Sequence, residues 1–377
     1  MTSPTRLACL TPPGTAAIAT LALRGPLAWT LVRQLAERDL PAEPEAGRFW
    51  LVRLGEAGRG QADEVVLAVN RAGPQPWLEL HTHGGREVVQ FVQELIAARG
   101  AEVCTWQQLE KDTSGVLQAA ALATLAGALT ARTAAIALDQ VQGAFAAALA
   151  RIQSALAVGD QATADDLLGQ LERWSDIGTH LTTPWSVVIA GAPNVGKSSL
   201  VNALAGYHRS VVSPLPGTTR DVVTTLVALD GWPVELADTA GWHDAADGLE
   251  REGIQRAGEA LGTADLCLWV LDGSVSPVWP PANLPKTLLV VNKTDLAPAC
   301  EIAEHASAVQ VSAQTGAGLA ELCTRITAAL VPQPPAPLTA VPFTRSLATA
   351  TLEVRRLSHS TTSGALERLA RLSAECG

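Results

Sequence analysis

Residues 191–198 read Gly-Ala-Pro-Asn-Val-Gly-Lys-Ser. Two glycines separated by four residues and followed by Lys-Ser form a loop that works only between a strand and a helix. Both neighbours are present. Trp185-Ser-Val-Val-Ile-Ala190 is a short apolar run with β-branched residues, and Ser199-Leu-Val-Asn-Ala-Leu opens an amphipathic helix. Such a loop turns its backbone N–H groups inward, at the positive end of the helix, and cradles phosphate oxygens. Lys197 is expected to reach the β- and γ-phosphates and the Ser198 hydroxyl to ligate Mg²⁺. Asn194, Val195, Gly196 and Ser199 complete the expected phosphate-binding set.

Three further segments follow in order. Asp238-Thr-Ala-Gly241 comes after the strand-like Trp232–Ala237. Asp238 is expected to hold Mg²⁺ through water, and the Gly241 N–H to sense the γ-phosphate. Asn292-Lys-Thr-Asp295 follows the apolar Thr287–Val291. The Asp295 carboxylate can accept two hydrogen bonds from guanine N1–H and its 2-amino group, a pair that adenine lacks. The Lys293 stem can lie along the base, and Asn292 can tie this loop to the phosphate loop. Ser312-Ala313 follows Ala308–Val311 and offers a backbone N–H to guanine O6. Together the four segments define a GTP-binding domain, with GTP and GDP as its ligands. Usage agrees: two of the four lysines (Lys197 and Lys293) and two of the five asparagines (Asn194 and Asn292) sit in these segments.

At 377 residues the chain has length for two or three domains. A net charge of −10 argues against a broadly basic nucleic-acid surface, so any tRNA contact must be local or shape-based. The six cysteines form no Cys-x-x-Cys pair and suit a reducing, cytoplasmic setting. The N-terminus lacks a signal-peptide pattern. Val116–Ala131 carries no charge, but it is alanine-rich and shorter than a span, so a buried helix is expected and no membrane partner. His81 and His83 alternate as strand neighbours do, but no third ligand completes a metal site, and a hydrogen-bonded turn before Gly84-Gly85 is the favoured reading.

Residues 1–105 read as an α+β domain. Its strand-like runs are 7–10, 17–23, 49–53, 64–69 and 77–81, and its helices 27–37 and 87–99. Residues 106–183 read as two or three helices, 184–331 as an α/β sheet domain and 332–337 as a stiff proline-rich linker. Residues 343–377 read as one or two helices that return to the 106–183 helices. The expected architecture is an α/β P-loop GTPase domain (184–331) inserted into a helical domain (106–183 plus 332–377), preceded by the α+β domain.

Pro216-Gly-Thr-Thr-Arg-Asp221 resembles the switch I signature of Era-like GTPases. Ala8-Cys-Leu-Thr-Pro-Pro-Gly14, Arg24-Gly-Pro26 and Leu78-Glu-Leu-His-Thr-His-Gly-Gly85 resemble the N-terminal domain of the MnmE (TrmE) family of tRNA-modification GTPases, and the order of parts matches. The resemblance implies the following. Asn194 helps coordinate K⁺, which acts as a fixed positive charge in phosphoryl transfer. Thr219, or its neighbour Thr218, closes on Mg²⁺ and the nucleotide. Trp242 stands where many GTPases carry a water-positioning Gln, and the family glutamate that helps orient the water falls at Glu250, whose surroundings equally suit a solvated helix charge. Lys197, Thr219 and Glu250 are thus the catalytic candidates. The resemblance further implies a homodimer, a flavin-binding (MnmG-like) partner, tRNA wobble-uridine C5 modification and a tetrahydrofolate one-carbon donor.

Three departures stand against the folate part. The chain ends Ala-Glu-Cys376-Gly rather than Cys-Ile-Gly-Lys. Thr105–Gly115 replaces a family segment. The family arginine of the Arg24 region falls on Ala22, with Arg24 two residues on and on the same strand face. The alternative reading is a divergent regulatory or ribosome-associated GTPase without the tRNA role.

Overall fold

The computed structural model describes residues 4–14, 16–55, 62–207, 224–238, 262–281, 284, 286–299 and 308–375. The chain divides into two compact units, residues 1–120 with 373–377, and residues 121–372.

The first unit is a six-stranded sheet with helices. Its strands are β1 (Arg6–Cys9), β2 (Ile18–Arg24), β3 (Phe49–Gly55), β4 (Ala62–Arg71), β5 (Trp77–His83) and β6 (Glu102–Val103), in the order β3-β4-β5-β2-β1-β6. Only the β1–β6 pair is parallel. Period-two alternation sorts each strand into two faces. Leu21 and Leu23 of β2, Leu67 and Val69 of β4, and Leu78 and Leu80 of β5 form one buried face. They pack on Val32 and Leu35 of α1 (Ala28–Leu35) and on Val92 and Ile96 of α2 (Arg86–Ala97). The opposite face carries Ala8 and Ala22, covered by Leu109 of α3 (Trp106–Ser114). The five strand runs and two helices read from the sequence lie within a few residues of these bounds. β6 is not readable from the sequence, because a two-residue strand has no period.

Arg24 lies on the same face as Ala22 and is 6% exposed. Its Nη2 donates to Glu110 Oε1 at 2.7 Å and its Nη1 to Thr113 Oγ1 at 3.0 Å, both on α3. Its guanidinium lies 3.8 Å from the Trp77 ring centroid. Arg6 pairs with Glu102 and Asp112. His81 and His83 sit on β5, not in a turn. His81 Nδ1 pairs with Thr20 Oγ1 at 2.9 Å, and no group of three metal-ligating side chains occurs among the described residues.

Residues 106–183 form six helices rather than two or three: α3, then α4 (Val116–Ala126), α5 (Ala131–Val141), α6 (Ala144–Ala157), α7 (Gln161–Arg173) and α8 (Ser175–Thr179). The reason is capping within an alanine-rich run. Thr105 and Thr130 form capping boxes with Gln108 and Thr133, and the Asp160 side chain accepts from the Thr163 N–H. The caps at Thr130 and Asp160 start α5 and α7, while Gly115 (φ +85°) and Gly143 (φ +97°) separate α3 from α4 and α5 from α6.

The second sheet has the order β12-β11-β10-β7-β9-β8. Its strands are β7 (Trp185–Gly191), β8 (Thr224–Leu229), β9 (Trp232–Asp238), β10 (Leu266–Asp272), β11 (Thr287–Asn292) and β12 (Val309–Gln310). All pairs are parallel except β8–β9. Helices α9 (Lys197–Tyr207) and α10 (Leu319–Leu330) belong to it, and α11 (Arg345–Ser358) and α12 (Thr362–Glu375) end the chain.

The segment after α10 returns to the earlier helices. The buried Gln140 of α5 donates to Thr339 O at 3.0 Å and accepts from Val341 N–H at 3.1 Å. Phe343 meets Phe145 of α6 edge-on at 5.6 Å, and Arg355 of α11 pairs with Glu172 of α7. No single described helix is long and apolar enough to cross a membrane. Among the described residues, only α5 and α6 together, bent by 45°, pass that test by length and composition. The uncharged run 116–131 yields only the eleven-residue α4, which buries Ala119, Ala121 and Thr124.

The Arg24 clamp generates a stability prediction. Glu110→Ala leaves a buried guanidinium without its carboxylate and is expected to cost about 3 kcal/mol, with Glu110→Gln costing less. Urea unfolding followed by tryptophan fluorescence measures both. Equal stability of Glu110→Ala and wild type would show that the clamp contributes nothing.

Candidate functional site

The site forms at the C-terminal ends of β7, β9, β10 and β11, where open α/β sheets bind ligands. β7 delivers the chain to Gly191, and α9 starts at Lys197, so the phosphate loop spans the strand end and the helix N-terminus. Asn292 ends β11 and is 2% exposed. Its Nδ2 donates to Val195 O at 2.9 Å, and its Oδ1 accepts from Ala313 N–H at 3.0 Å. One amide therefore joins the phosphate loop, the Asn292–Asp295 loop and the Ser312–Ala313 loop. Gly196, with φ +92°, packs against this amide. A Cβ there would lie 2.4 Å from Asn292 Nδ2, so no side chain fits.

Lys197 is buried. Its Nζ donates to Gly191 O at 3.1 Å and to Ala192 O at 2.9 Å. Burial lowers its pKa, and the charge of Asp238 partly opposes that shift. Ser198 Oγ donates to Asp238 Oδ2 at 2.5 Å. A hydroxyl and a carboxylate side by side are hard oxygen donors of the kind Mg²⁺ takes. Asn194 is exposed beside them at a φ of +63°.

At the base end, Ser312 Oγ donates to Asp295 Oδ1 at 2.6 Å and accepts from Thr315 N–H at 3.1 Å. The Ser312 N–H donates to Ala317 O at 2.9 Å, so the two backbone N–H groups of Ser312 and Ala313 have partners within the protein. Lys293, at a φ of +65°, donates from Nζ to Asn194 O at 2.8 Å and to Asp272 Oδ2 at 2.6 Å. Sequence reasoning missed Asp272. The sequence carried part of the signal, a carboxylate closing the apolar run Leu266–Leu271; the register that sets it opposite Asn292 belongs to the fold. Burial pushes the Asp272 pKa up. Hydrogen bonds from Lys293 and from the Ser274 side chain and backbone, with the Lys293 charge, outweigh it and leave the carboxyl below its usual range.

Of the residues named from the sequence, Asn194, Val195, Gly196, Lys197, Ser198, Ser199, Asp238, Asn292, Lys293, Asp295, Ser312 and Ala313 lie on these loops and their flanking elements. Thr218, Thr219, Gly241, Trp242, Glu250 and Cys376 lie outside the described residues. The folate segment fits poorly. Ala22 is fully buried, and Arg24 is already bound to Glu110 and Thr113 on α3, so no reaction step through folate is derived.

The phosphate loop, the sheet order and the joined Asn292–Asp295 and Ser312–Ala313 loops define a P-loop GTPase. A family model described as 50S ribosome-binding GTPase matches residues 186–299. Across the longer span, the tRNA modification GTPase MnmE of Sodalis glossinidius is 32% identical over 370 residues, covering 85% of this chain and 80% of that protein. Those of one Thermus thermophilus strain and of Alkalilimnicola ehrlichii are 33% and 34% identical over 364 residues each. They cover 86% and 85% of this chain, and 82% and 81% of their own lengths. The chain belongs to the MnmE family of tRNA modification GTPases.

Asp272 gives a test of the base-end geometry. Asp272→Asn removes the charge-assisted bond to Lys293 and is expected to cost about 2 kcal/mol of stability at neutral pH. Because the folded-state pKa of Asp272 is lowered, its contribution is complete above the unfolded value. It is lost as pH falls through the folded value. The stability gap between wild type and variant should therefore be flat above about pH 5 and close below about pH 4. Urea titrations across that range read it, and a gap that persists in acid would refute the assignment.

Proposed function

We propose that this GTPase acts in the C5 modification of tRNA wobble uridines, as a Mg²⁺-dependent, K⁺-stimulated hydrolase of GTP to GDP and phosphate. The observation that carries this reading is the identity of 32–34% to MnmE proteins over four-fifths of their length. The loops joined by Asn292 support it locally.

In this reading the N–H groups of the phosphate loop, Asn194 to Ser199, and the Lys197 ammonium hold the phosphates. Ser198 and Thr219 ligate Mg²⁺, and Asp238 supports the ion through water. Bound Mg²⁺ and K⁺ would supply positive charge to the phosphoryl group as negative charge develops on its oxygens. Asn194 is the K⁺ ligand from the chain. Thr218 and Gly241 close on the phosphates, and Glu250 orients the attacking water. Asp295 accepts from the guanine edge, Lys293 flanks the base, and Ser312 and Ala313 shape the pocket by holding Asp295 and Asn292.

The proposed domains are 1–105, 106–183 with 332–377, and 184–331, with α3 at the start of the second packed on the sheet of the first. The contacts of Gln140, Phe145 and Glu172 with residues 339–355 support insertion of the GTP-binding domain into the helical one. A homodimer, tRNA, a flavin-binding partner and a cytoplasmic setting complete the proposal. Cys9, Cys104, Cys267 and Cys323 form no disulfide, which suits that setting.

One observation favours a second reading, a regulatory or ribosome-associated GTPase without the tRNA role: Arg24 is engaged by the very segment, 105–115, that departs from the family pattern.

Hydrolysis is expected to run on the order of tenfold or more faster in K⁺ than in Na⁺ at equal ionic strength. A phosphate-release assay decides this, and equal rates would remove the Asn194 role. Deleting the gene and measuring tRNA nucleosides by mass spectrometry separates the two functions. Loss of C5-modified wobble uridines is expected. Unchanged uridines, with no second copy in the genome, would leave the regulatory reading.

A further inference from the structure

The turn between β8 and β9 is Asp230-Gly231, with φ values of +46° and +78°. These left-handed angles make the tight two-residue turn that matches the twist of paired strands. Helix α5 grips this turn through Thr130 and Arg132. Thr130 Oγ1, the N-cap of α5, donates to Gly231 O at 2.5 Å while accepting from Thr133 N–H at 3.3 Å. Arg132 Nη2 lies 3.3 Å from Asp230 Oδ1, and its guanidinium 5.6 Å from the ring centroid of the buried Trp232. The Arg132 stem also packs on Gly231 so closely that an added Cβ would lie 3.1 Å from Arg132 Cβ and Nε.

The turn also borders a cavity. Asp230 lines a cavity of about 440 Å³ together with Tyr207 at the end of α9, Cys323 and Thr327 of α10, and Pro332. The turn is therefore gripped by Thr130 and Arg132 and borders free volume at Asp230.

The opposite end of the same hairpin is the phosphate end of the site. β9 runs without interruption from Trp232 to Asp238, whose carboxylate accepts from Ser198. β8 pairs with β9 from Thr224↔Ala237 to Leu229↔Trp232, so the hairpin is tied along its length. In the sequence, β8 follows the Thr218-Thr219 segment. A ligand that displaces Asp238 shifts one end of a paired hairpin, and hydrogen-bonded secondary elements are what carries coupling between separated sites.

From this geometry we infer that Thr130 and Arg132 are positioning residues that couple the Ser198–Asp238 end of β9 to the N-terminus of helix α5. The first turn of α5 then responds to which nucleotide the loop holds. This inference rests on the GTP-site reading above.

Hydrogen–deuterium exchange on the full chain tests it, with GDP or the β,γ-imido analogue of GTP and Mg²⁺ present. Fluorescent-GDP binding is measured on the same preparations. Peptides covering residues 129–141 are expected to differ by about threefold or more in exchange rate between the two nucleotides. Arg132→Ala should abolish the difference while nucleotide affinity stays within about twofold. Thr130→Ser, which keeps the hydroxyl, should preserve the difference. Asp230→Asn cuts the ion pair from the sheet side with α5 intact, and should act as Arg132→Ala does even if that variant fails to fold. Nucleotide binding with no exchange difference in the wild type overturns the inference alone, as does a full difference in Asp230→Asn. Absence of nucleotide binding overturns the GTP-site reading and the inference together.

Discussion

The site depends on one buried amide. Asn292 gives its donor to the phosphate loop at Val195 and its acceptor to the Ala313 N–H. A buried side-chain amide must satisfy both ends, and leaving either unpaired costs about 1–3 kcal/mol. Because its partners lie on two other loops, satisfying Asn292 fixes the distance from the phosphate end to the base end. Gly196 follows from the same contact, since any side chain there would collide with the amide. Rigid spacing between phosphate and base pockets is what a nucleotide site needs before it can discriminate between ligands.

Charge is arranged around that frame sparingly. Lys197 is held inside the phosphate loop at a cost in hydration, which its lowered pKa reflects. Lys293 is anchored twice, by Asp272 and by the Asn194 carbonyl. That second bond links the base-end lysine to the residue proposed to take K⁺. The two lysines are thus both held by protein acceptors, Lys197 by carbonyls of its own loop and Lys293 by the phosphate loop and the end of β10. Fixed charges of this kind lose little freedom when a charged ligand arrives.

The first unit shows how family membership and local chemistry can part. Its sheet buries one face in leucine and valine. On the other it buries an arginine whose hydrogen-bonding partners, Glu110 and Thr113, come from α3. Relatives at 32–34% identity establish the family across the chain. The Arg24 cluster is nevertheless built from residues of the segment that departs from the family pattern. A buried cation needs a partner, and in this chain a neighbouring helix supplies it.

Much of this was legible in the sequence because its signals are local. The glycine spacing of 191–198, the strand before it and the helix after it require no distant partner to be recognised. The Asn292–Asp295 pattern likewise contains its own chemistry, and strand alternation exposed five of the six strands of the first sheet. Helix breaks at Thr130 and Asp160 were harder, because a cap is a single side chain in an otherwise continuous alanine-rich run. What only the tertiary structure decided were pairings across long separations in the chain. Asp272 became part of the site because parallel pairing of β10 and β11 sets it opposite Asn292. Arg24 became a structural clamp because α3 crosses the sheet at Glu110. Thr130 and Arg132 acquired their proposed positioning role because α5 meets the Asp230-Gly231 turn, far along the chain. Local patterns specify which groups a loop carries. The fold alone specifies which of them meet, since meeting depends on the register and packing of elements that share no sequence neighbourhood.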